Sequence, residues 1–479
     1  MERIAVYPIS VLLTLGGSTC LNAKKPALEA EKPNIIIILA DDLGWGDVGY
    51  HRSKIKTPNL DRLADEGIRL TRFYVAPVCS PTRAGLLTGK YPNRFGIRET
   101  VIPPWRDFGL DPANTIIPEF LEQHGYKNRA IIGKWHLGHS RQEYYPVNNG
   151  FTHFYGHLNG AIDYYTHERD GELDWHNDYE SSYDKGYATD LLAQESVKCI
   201  REYAHEGPFF MYVAFNAPHT PLQAAMEDLK LYGYDESKPG YSRKKEEQIM
   251  GQGNTRAQTY AAMVTGMDRG IGNILQTLKD LDIEDNTLVL FFSDNGADEG
   301  SGGGSSDPLR THKFHEFDGG VRVPAIMRWP ARFRAPREVN QLTGFVDVFP
   351  TLVEILDPEK QNNPVGFDGI SILNVLDQKK ENIDRSFYLG CGALIENQWK
   401  IIRAGQNPRM KLEQDVLFNL IDDPYEENDL SEQHPEVKRR LTSLVLKYDT
   451  IRPSKEVLPY DVGREGFVPP KEWNIFNKN

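Results

Sequence analysis

Cysteine is scarce in this chain: four in 479 residues, at positions 20, 79, 199 and 391. So few, so widely spread, do not make a disulfide framework. Long apolar runs are missing too. Beyond the first few dozen residues no segment approaches the ~18 continuous apolar residues of a membrane-spanning helix. Positive charge is in deficit, with 55 Lys and Arg against 68 Asp and Glu and a net charge of −13. That balance argues against a general binder of nucleic acid or of anionic membranes. An anionic substrate would therefore need a locally basic pocket. What is present is ordinary for a soluble globular protein: 39% hydrophobic and 26% charged residues. The length predicts a large α/β domain with a smaller appendage.

The N-terminus "MERIAVYPISVLLTLGGSTC" carries one Arg, a short apolar stretch and small residues before Cys20. It reads as an export signal over residues 1–24, with Cys20 at a loose lipoprotein site; cleavage by an ordinary signal peptidase is the alternative. The expectation is an exported protein, periplasmic or an outer-membrane lipoprotein of a Gram-negative bacterium. Its only membrane contact would be a lipid anchor on Cys20.

Farther on, apolar runs alternate with helical patterns. "NIIIILA" (34–40) is a continuous aliphatic run, the mark of a strand buried on both faces. Runs at 128–136, 208–219 and 286–296 repeat it. Helical periodicity lies between them, at 59–67, 115–125, 187–204 and 258–281, and Cys199 falls on a core face. This rhythm predicts an α/β fold with a mixed, mostly parallel central sheet flanked by helices. Residues 226–257 are polar and charge-mixed, and read as a surface insertion. From about 385 short strands and a final helix (435–448) predict a small C-terminal α+β subdomain. The expected division is a main domain at 33–380 and a subdomain at 385–479.

Four strand ends deliver polar residues: Asp41 and Asp42; Lys134 and His136; His219; Asp294 and Asn295. Ligands in open α/β sheets bind outside the carboxyl ends of strands. Asp41, Asp42, Asp294 and Asn295 offer hard oxygens suited to Ca²⁺ or Mg²⁺. Two adjacent aspartates there would also repel each other without a cation. In "YVAPVCSPTRAGLLTG" (74–89), Pro81 suits a first helical turn, which places Cys79 at a helix N-terminus. An anion is favoured there, Arg83 follows in the first turn, and a plain thiol would have a depressed pKa. With Lys134, His136, His219 and Lys313, a metal completes a pocket for a doubly charged tetrahedral anion. Such a pocket could also protonate a leaving alcohol.

These residues resemble a known family. "CSPTRAGLLTG" (79–89) resembles the type I sulfatase signature. "ILADDLGWGDVG" (38–49), "GKWHLG" (133–138), "NAPHTP" (216–221), "SDNG" (293–296) and "KFHEFDGGVRVPAI" (313–326) resemble its other blocks, in order. "VLFNLIDDPYEENDL" (416–430) resembles its C-terminal signature. The resemblance implies an alkaline-phosphatase-like sandwich and a sulfuric ester hydrolase. It implies that Cys79 is oxidised by a formylglycine-generating (sulfatase-maturating) enzyme to formylglycine, whose gem-diol is the nucleophile. Asp41, Asp42, Asp294 and Asn295 would hold one Ca²⁺ (or Mg²⁺), with residue 79 also near it. Arg83 would stabilise the hydrated aldehyde, and Lys134 and Lys313 would hold sulfate oxygens. His219 would protonate the leaving alcohol, and His136 would help expel sulfate. The family often has Glu-Gly-Gly before Val-Arg-Val-Pro; this chain has Asp318-Gly319-Gly320, so Asp318 is expected to play a supporting part.

The stretches 150–168, 217–223 and 307–322 look most like the N-acetylgalactosamine-4-sulfatase and arylsulfatase B branch. That implies a sulfated glycan, from a glycosaminoglycan or an algal polysaccharide. Asp163, Tyr164, Tyr165, His167, Arg310 and His312 are the sugar-contacting candidates, with ordinary loop packing as the alternative. Two other functions stay open: a phosphoester or phosphonate hydrolase on the same fold, and a glycan binder with Cys79 unmodified.

Overall fold

A computed structural model describes residues 1–2, 32–98, 100–241, 250–360, 366–453 and 455–476. The chain divides into two units, 1–32 and 33–479. The export signal and Cys20 lie outside the described residues, as does the 242–249 part of the expected insertion.

The aliphatic run forms the strand Asn34–Ala40, buried along its whole length. Its side chains alternate between two cores. Ile35, Ile37 and Leu39 enter one, and Ile36, Ile38 and Ala40 enter the other. Each buried Ile or Leu contributes about 1.5–3 kcal/mol, which is why a run without polar residues belongs at the centre of a sheet covered on both faces.

That sheet has ten strands. Asn34–Ala40 lies between Phe209–Ala214 and Thr287–Ser293, parallel to both. Asn128–Lys134 and then His153–His157 extend the parallel set on one side. On the other, Ala325–Arg328 runs antiparallel to Thr287–Ser293. The helices Pro58–Glu66, Ala188–Tyr203 and Arg256–Asp280 supply one core. The helices Cys79–Thr88, Ile117–Gln123 and Val348–Leu356 supply the other. The expected mixed, mostly parallel sheet between helices is thus the fold, the alkaline-phosphatase-like sandwich.

The smaller sheet is antiparallel and four-stranded: Ser386–Gly390, Ala393–Glu396, Trp399–Ile402 and Val416–Asn419. The helix Pro435–Asp449 packs on it. Its apolar residues join the same core as the helix Cys79–Thr88, so residues 33–479 make one compact unit. After that helix the chain returns to the main unit, where Trp473 is buried and donates its indole N–H at 2.8 Å to the carbonyl of Arg169, on the hairpin Glu168–Arg169 and Glu172–Leu173. The 226–257 segment is not wholly superficial: Leu229 is buried in the core.

Candidate active site

Parallel pairing brings the carboxyl ends of four strands to one edge, and the polar residues of the sequence motifs arrive there together. Asp41 and Asp42 follow Ala40, and Asp42 takes a left-handed conformation with φ 69°. Aspartate tolerates that region better than most residues. Lys134 ends its strand, and His136, also left-handed at φ 57°, lies two residues on. His136 is held there because its N–H donates to Leu158 O at 3.1 Å. Asp294 and Asn295 follow Ser293.

Cys79 is the first residue of the buried helix Cys79–Thr88, in agreement with the proline pattern. Its Sγ lies 3.3 Å from His136 Nδ1. The other ring nitrogen, Nε2, is 3.1 Å from the Ile102 carbonyl. A carbonyl only accepts, so Nε2 carries the proton and Nδ1 presents its lone pair to residue 79. Burial, then Lys134 and Arg83, hold His136 well below its ordinary value and keep it neutral. Ser80 fastens the arrangement: its hydroxyl donates to His136 O at 3.0 Å and accepts from Ile102 N–H at 3.2 Å.

Arg83 stands one turn beyond Cys79. It gives Nε (3.0 Å) and a terminal nitrogen (2.7 Å) to Asp294 Oδ2, and a third N–H to Lys134 O at 2.9 Å. Lys134 pairs with Asp41, and Lys313 with Asp42 at 2.7 Å. Three buried carboxylates thus face three buried cations, and the aspartate repulsion expected from sequence is offset within the protein. Arg83 is spent on Asp294, which bears on the thiol. Burial pushes Cys79 up from its ordinary value, and Asp41 and Asp294 add to this against Lys134 and Lys313. The depressed thiol pKa expected from the helix terminus is therefore corrected: desolvation wins.

His219 gives Nδ1–H to Thr220 O at 2.6 Å and turns Nε2 toward Asp42 Oδ2 at 3.6 Å. Burial, with Lys313 and Lys134, lowers it to about 4 despite Asp42. An arriving anion would favour its protonated form.

The cluster fits a divalent cation on its own evidence. Asp41 Oδ1 and Asn295 Oδ1 are buried and have no hydrogen-bond partner among the described residues. Unsatisfied buried oxygens are costly, and two of them point at ligation. Ligand atoms of Asp41, Asp42 and His219, and of Asp41, Cys79 and Asp294, group within 4.8 Å. A 2+ ion would leave the balanced cluster positive, which an anionic ester offsets.

Above it opens a cavity of ≈ 230 Å³ lined by Cys79, His136, His219 and Lys313. A larger groove of ≈ 540 Å³ runs along Arg337, Val375 and Lys380 and carries none of these groups. The sugar candidates do not line the smaller cavity. Tyr164 is buried, its hydroxyl 2.7 Å from Asn216 O and 2.8 Å from His219 O, so it braces the His219 loop. Asp163 accepts from Tyr165 N–H, Thr166 N–H and Gln223 Nε2. Tyr165 donates to Ala224 O at 2.9 Å. His167 is buried, stacked 4.5 Å from Trp175. Arg310 lies over Phe317 at 4.1 Å and reaches the Glu426 carbonyl. His312 approaches Lys313 O and the His315 ring. The cavity is lined instead by Phe314, from the block 313–326, and by Arg169, Asp298, Arg409 and Tyr460, which no motif marked. Asp318, the departure from the family pattern, is buried between Lys400 Nζ (2.7 Å) and Tyr74 OH (3.0 Å).

Comparison with known proteins agrees with this geometry. The chain is 31% identical to mouse arylsulfatase J over 465 residues, spanning 86% of this chain and 74% of that protein. It is 35% identical to human N-acetylgalactosamine-6-sulfatase over 372 residues, 72% of this chain and 66% of that protein. The crystal structure of Ps i-CgsB in complex with k-i-k-neocarrahexaose superposes with a TM-score of 0.77 at 30% identity, covering 88% of this chain and 94% of that one. The Sulfatase family model matches residues 33–358, and with it the chain belongs to the sulfatase family and is a sulfuric ester hydrolase.

Proposed function

We propose that this enzyme removes sulfate from a sulfated carbohydrate, using formylglycine made from Cys79 and one divalent cation, Ca²⁺ or Mg²⁺. The observation that carries the proposal is the lone pair of His136 Nδ1 set 3.3 Å from Cys79 Sγ, within a cluster that also holds two unpaired buried oxygens. A partner maturating enzyme supplies the oxidation of the thiol. A hydrated aldehyde at this position offers one hydroxyl to displace the alcohol at sulfur, and a second whose ionisation releases sulfate. The cation, when bound by Asp41, Asp42, Asp294 and Asn295, draws charge from the sulfate oxygens.

The chain's own groups do the rest. Lys313 presents its ammonium to the anion from the cavity wall, and Lys134, buried against Asp41, adds positive charge behind it. His219 Nε2, protonated once the anion is seated, gives its proton to the leaving oxygen. His136 Nδ1 takes the proton of the second hydroxyl. Arg83 keeps Asp294 aligned through two hydrogen bonds to one oxygen.

The glycan assignment draws on the relatives. Human N-acetylgalactosamine-6-sulfatase acts on a sulfated amino sugar by its name, and the Ps i-CgsB crystal holds a neocarrahexaose. The look of the 4-sulfatase branch favours a galactosamine-type ring, and an exported enzyme degrading polysaccharide suits the N-terminus. Mass spectrometry of the Cys79 peptide, followed by sulfate release from defined 4- and 6-sulfated saccharides, tests the reading. Turnover by protein whose Cys79 is wholly an unmodified thiol would overturn the nucleophile.

A further inference from the structure

Two arginines from distant parts of the sequence line the same cavity as Cys79, and neither belongs to the cluster already described. Arg169 sits on a small hairpin, Glu168–Arg169 paired with Glu172–Leu173. Its carbonyl is gripped by the Trp473 indole at 2.8 Å, and its Nε is 3.3 Å from the half-exposed Asp170. Arg409 comes from the smaller subdomain. Its guanidinium carbon lies over the Phe314 ring, 4.0 Å from the centroid, and it makes no ion pair among the described residues. That placement is built. Asn407 donates to Phe314 O at 2.8 Å and Glu316 Oε2 at 2.7 Å, while its own oxygen accepts from Arg409 N–H at 2.9 Å. The loop carrying Arg409 is thereby tied to the loop carrying Lys313.

The remaining charged or titratable lining groups are Lys313, committed to Asp42, Cys79 and the two site histidines, Tyr460, and Asp298. On a chain with net charge −13, two guanidinium groups at one mouth are a departure that needs a purpose. A guanidinium over an aromatic face is weakly hydrated and keeps its own planar N–H fork available, suited to a planar or tetrahedral oxyanion.

We infer that Arg169 and Arg409 bind a second anionic group of the substrate, a sulfate ester or a carboxylate near the scissile sulfate, so that the preferred substrate is a doubly charged glycan unit. The inference rests on the sulfatase reading of the Cys79 site. Lys313 and the histidines engage the group that is cleaved, and the two arginines engage the one that stays.

The test uses full-length matured protein whose Cys79 aldehyde is verified by mass spectrometry. Four substrates are compared: 4-nitrophenyl sulfate, a monosulfated neutral disaccharide, the same disaccharide with a second sulfate, and one with a uronate. The expected result is a kcat/KM about tenfold or more higher for a doubly charged disaccharide, carried by KM and weakened by salt. Arg409→Ala and Arg169→Ala should each shrink that preference by about 3-fold or more, with Arg409→Lys recovering part of it. Which disaccharide gains, second sulfate or uronate, identifies the group. Equal kcat/KM for singly and doubly charged disaccharides, or equal losses on both in the variants, overturns the inference. Failure on every ester, the aryl sulfate included, would count against the Cys79 mechanism instead. Calorimetric binding of the same disaccharides to the Cys79→Ala protein still decides the arginine question in that event, by the same ratio.

Discussion

Gly160 lies so close to His136 that a Cβ on it would fall 2.4 Å from the imidazole Cε1. The contact is with the ring that faces residue 79, so the glycine sets where that ring can stand. Gly160→Ala should displace the imidazole and lower kcat by about 10- to 100-fold, the scale of an ångström-level misplacement. Steady-state kinetics with a parallel melting curve check this. An unchanged kcat in a folded variant would mean the ring has room to spare.

Cys79→Ala should abolish turnover and leave stability nearly unchanged, because it removes a thiol without opening a backbone hydrogen bond. Cys79→Ser, expressed without conversion to the aldehyde, has one hydroxyl where the hydrate has two. It should accumulate a sulfated peptide detectable by mass spectrometry rather than turn over. Continued multiple turnover by the serine protein would remove the need for a second hydroxyl.

Chelation should silence the enzyme, and Ca²⁺ or Mg²⁺ should restore it. A readout independent of turnover is thermal stability, because an ion that binds only the folded state raises it by about 2.7 kcal/mol at 100 times its Kd. Asp41→Asn should lose most of that increment. A melting temperature indifferent to the ion in wild-type protein would contradict the ligand set.

Lys400 is fully buried, its ammonium 2.7 Å from both Asp318 Oδ1 and Glu426 Oε1. Lys400→Met would leave two carboxylates facing each other in a dry interface between the two sheets. A loss of about 3–5 kcal/mol is expected, read by chemical denaturation. A loss under about 1 kcal/mol, the scale of an exposed ion pair, would show that water reaches the site.

Asp174 is buried, which alone would raise its pKa. His176 and the N–H groups of Leu158 and Asn159 outweigh burial and hold it well below the carboxylate range. A folded value below the unfolded one stabilises above about pH 4, and that stability is lost as pH falls through the folded value. Asp174→Asn should thus be less stable than wild type at pH 7 by about 1–3 kcal/mol, with the gap closing on acidification. A gap constant from pH 7 to pH 3 would assign it to packing.

Much of this was legible in sequence for one reason: buried parallel strands are written as unbroken aliphatic runs, and the residues just past each run must lie at one edge. Asp41, Lys134, His219 and Asp294 could be grouped that way without knowing the order of strands. The cavity wall could not. Arg169 and Tyr460 reach it because Trp473 and Trp105 pull in segments from far along the chain, and such contacts leave no periodicity. Tyr164 has the composition of a sugar platform, but its hydroxyl found two backbone carbonyls and the ring went inside. The thiol goes the other way from its helix terminus because the cost of desolvating a thiolate outweighs the pull of that terminus, and Cys79 is buried.

That burial sets a calendar for the protein. Residue 79 is 2% exposed, on a helix with every residue buried, at the foot of a narrow cavity. The proposed conversion of Cys79 to the aldehyde would then have to precede this packing, because a maturating enzyme would need the side chain outside the helix core and clear of Tyr460 at the cavity wall. On that reading, folding and modification would compete for each newly made molecule.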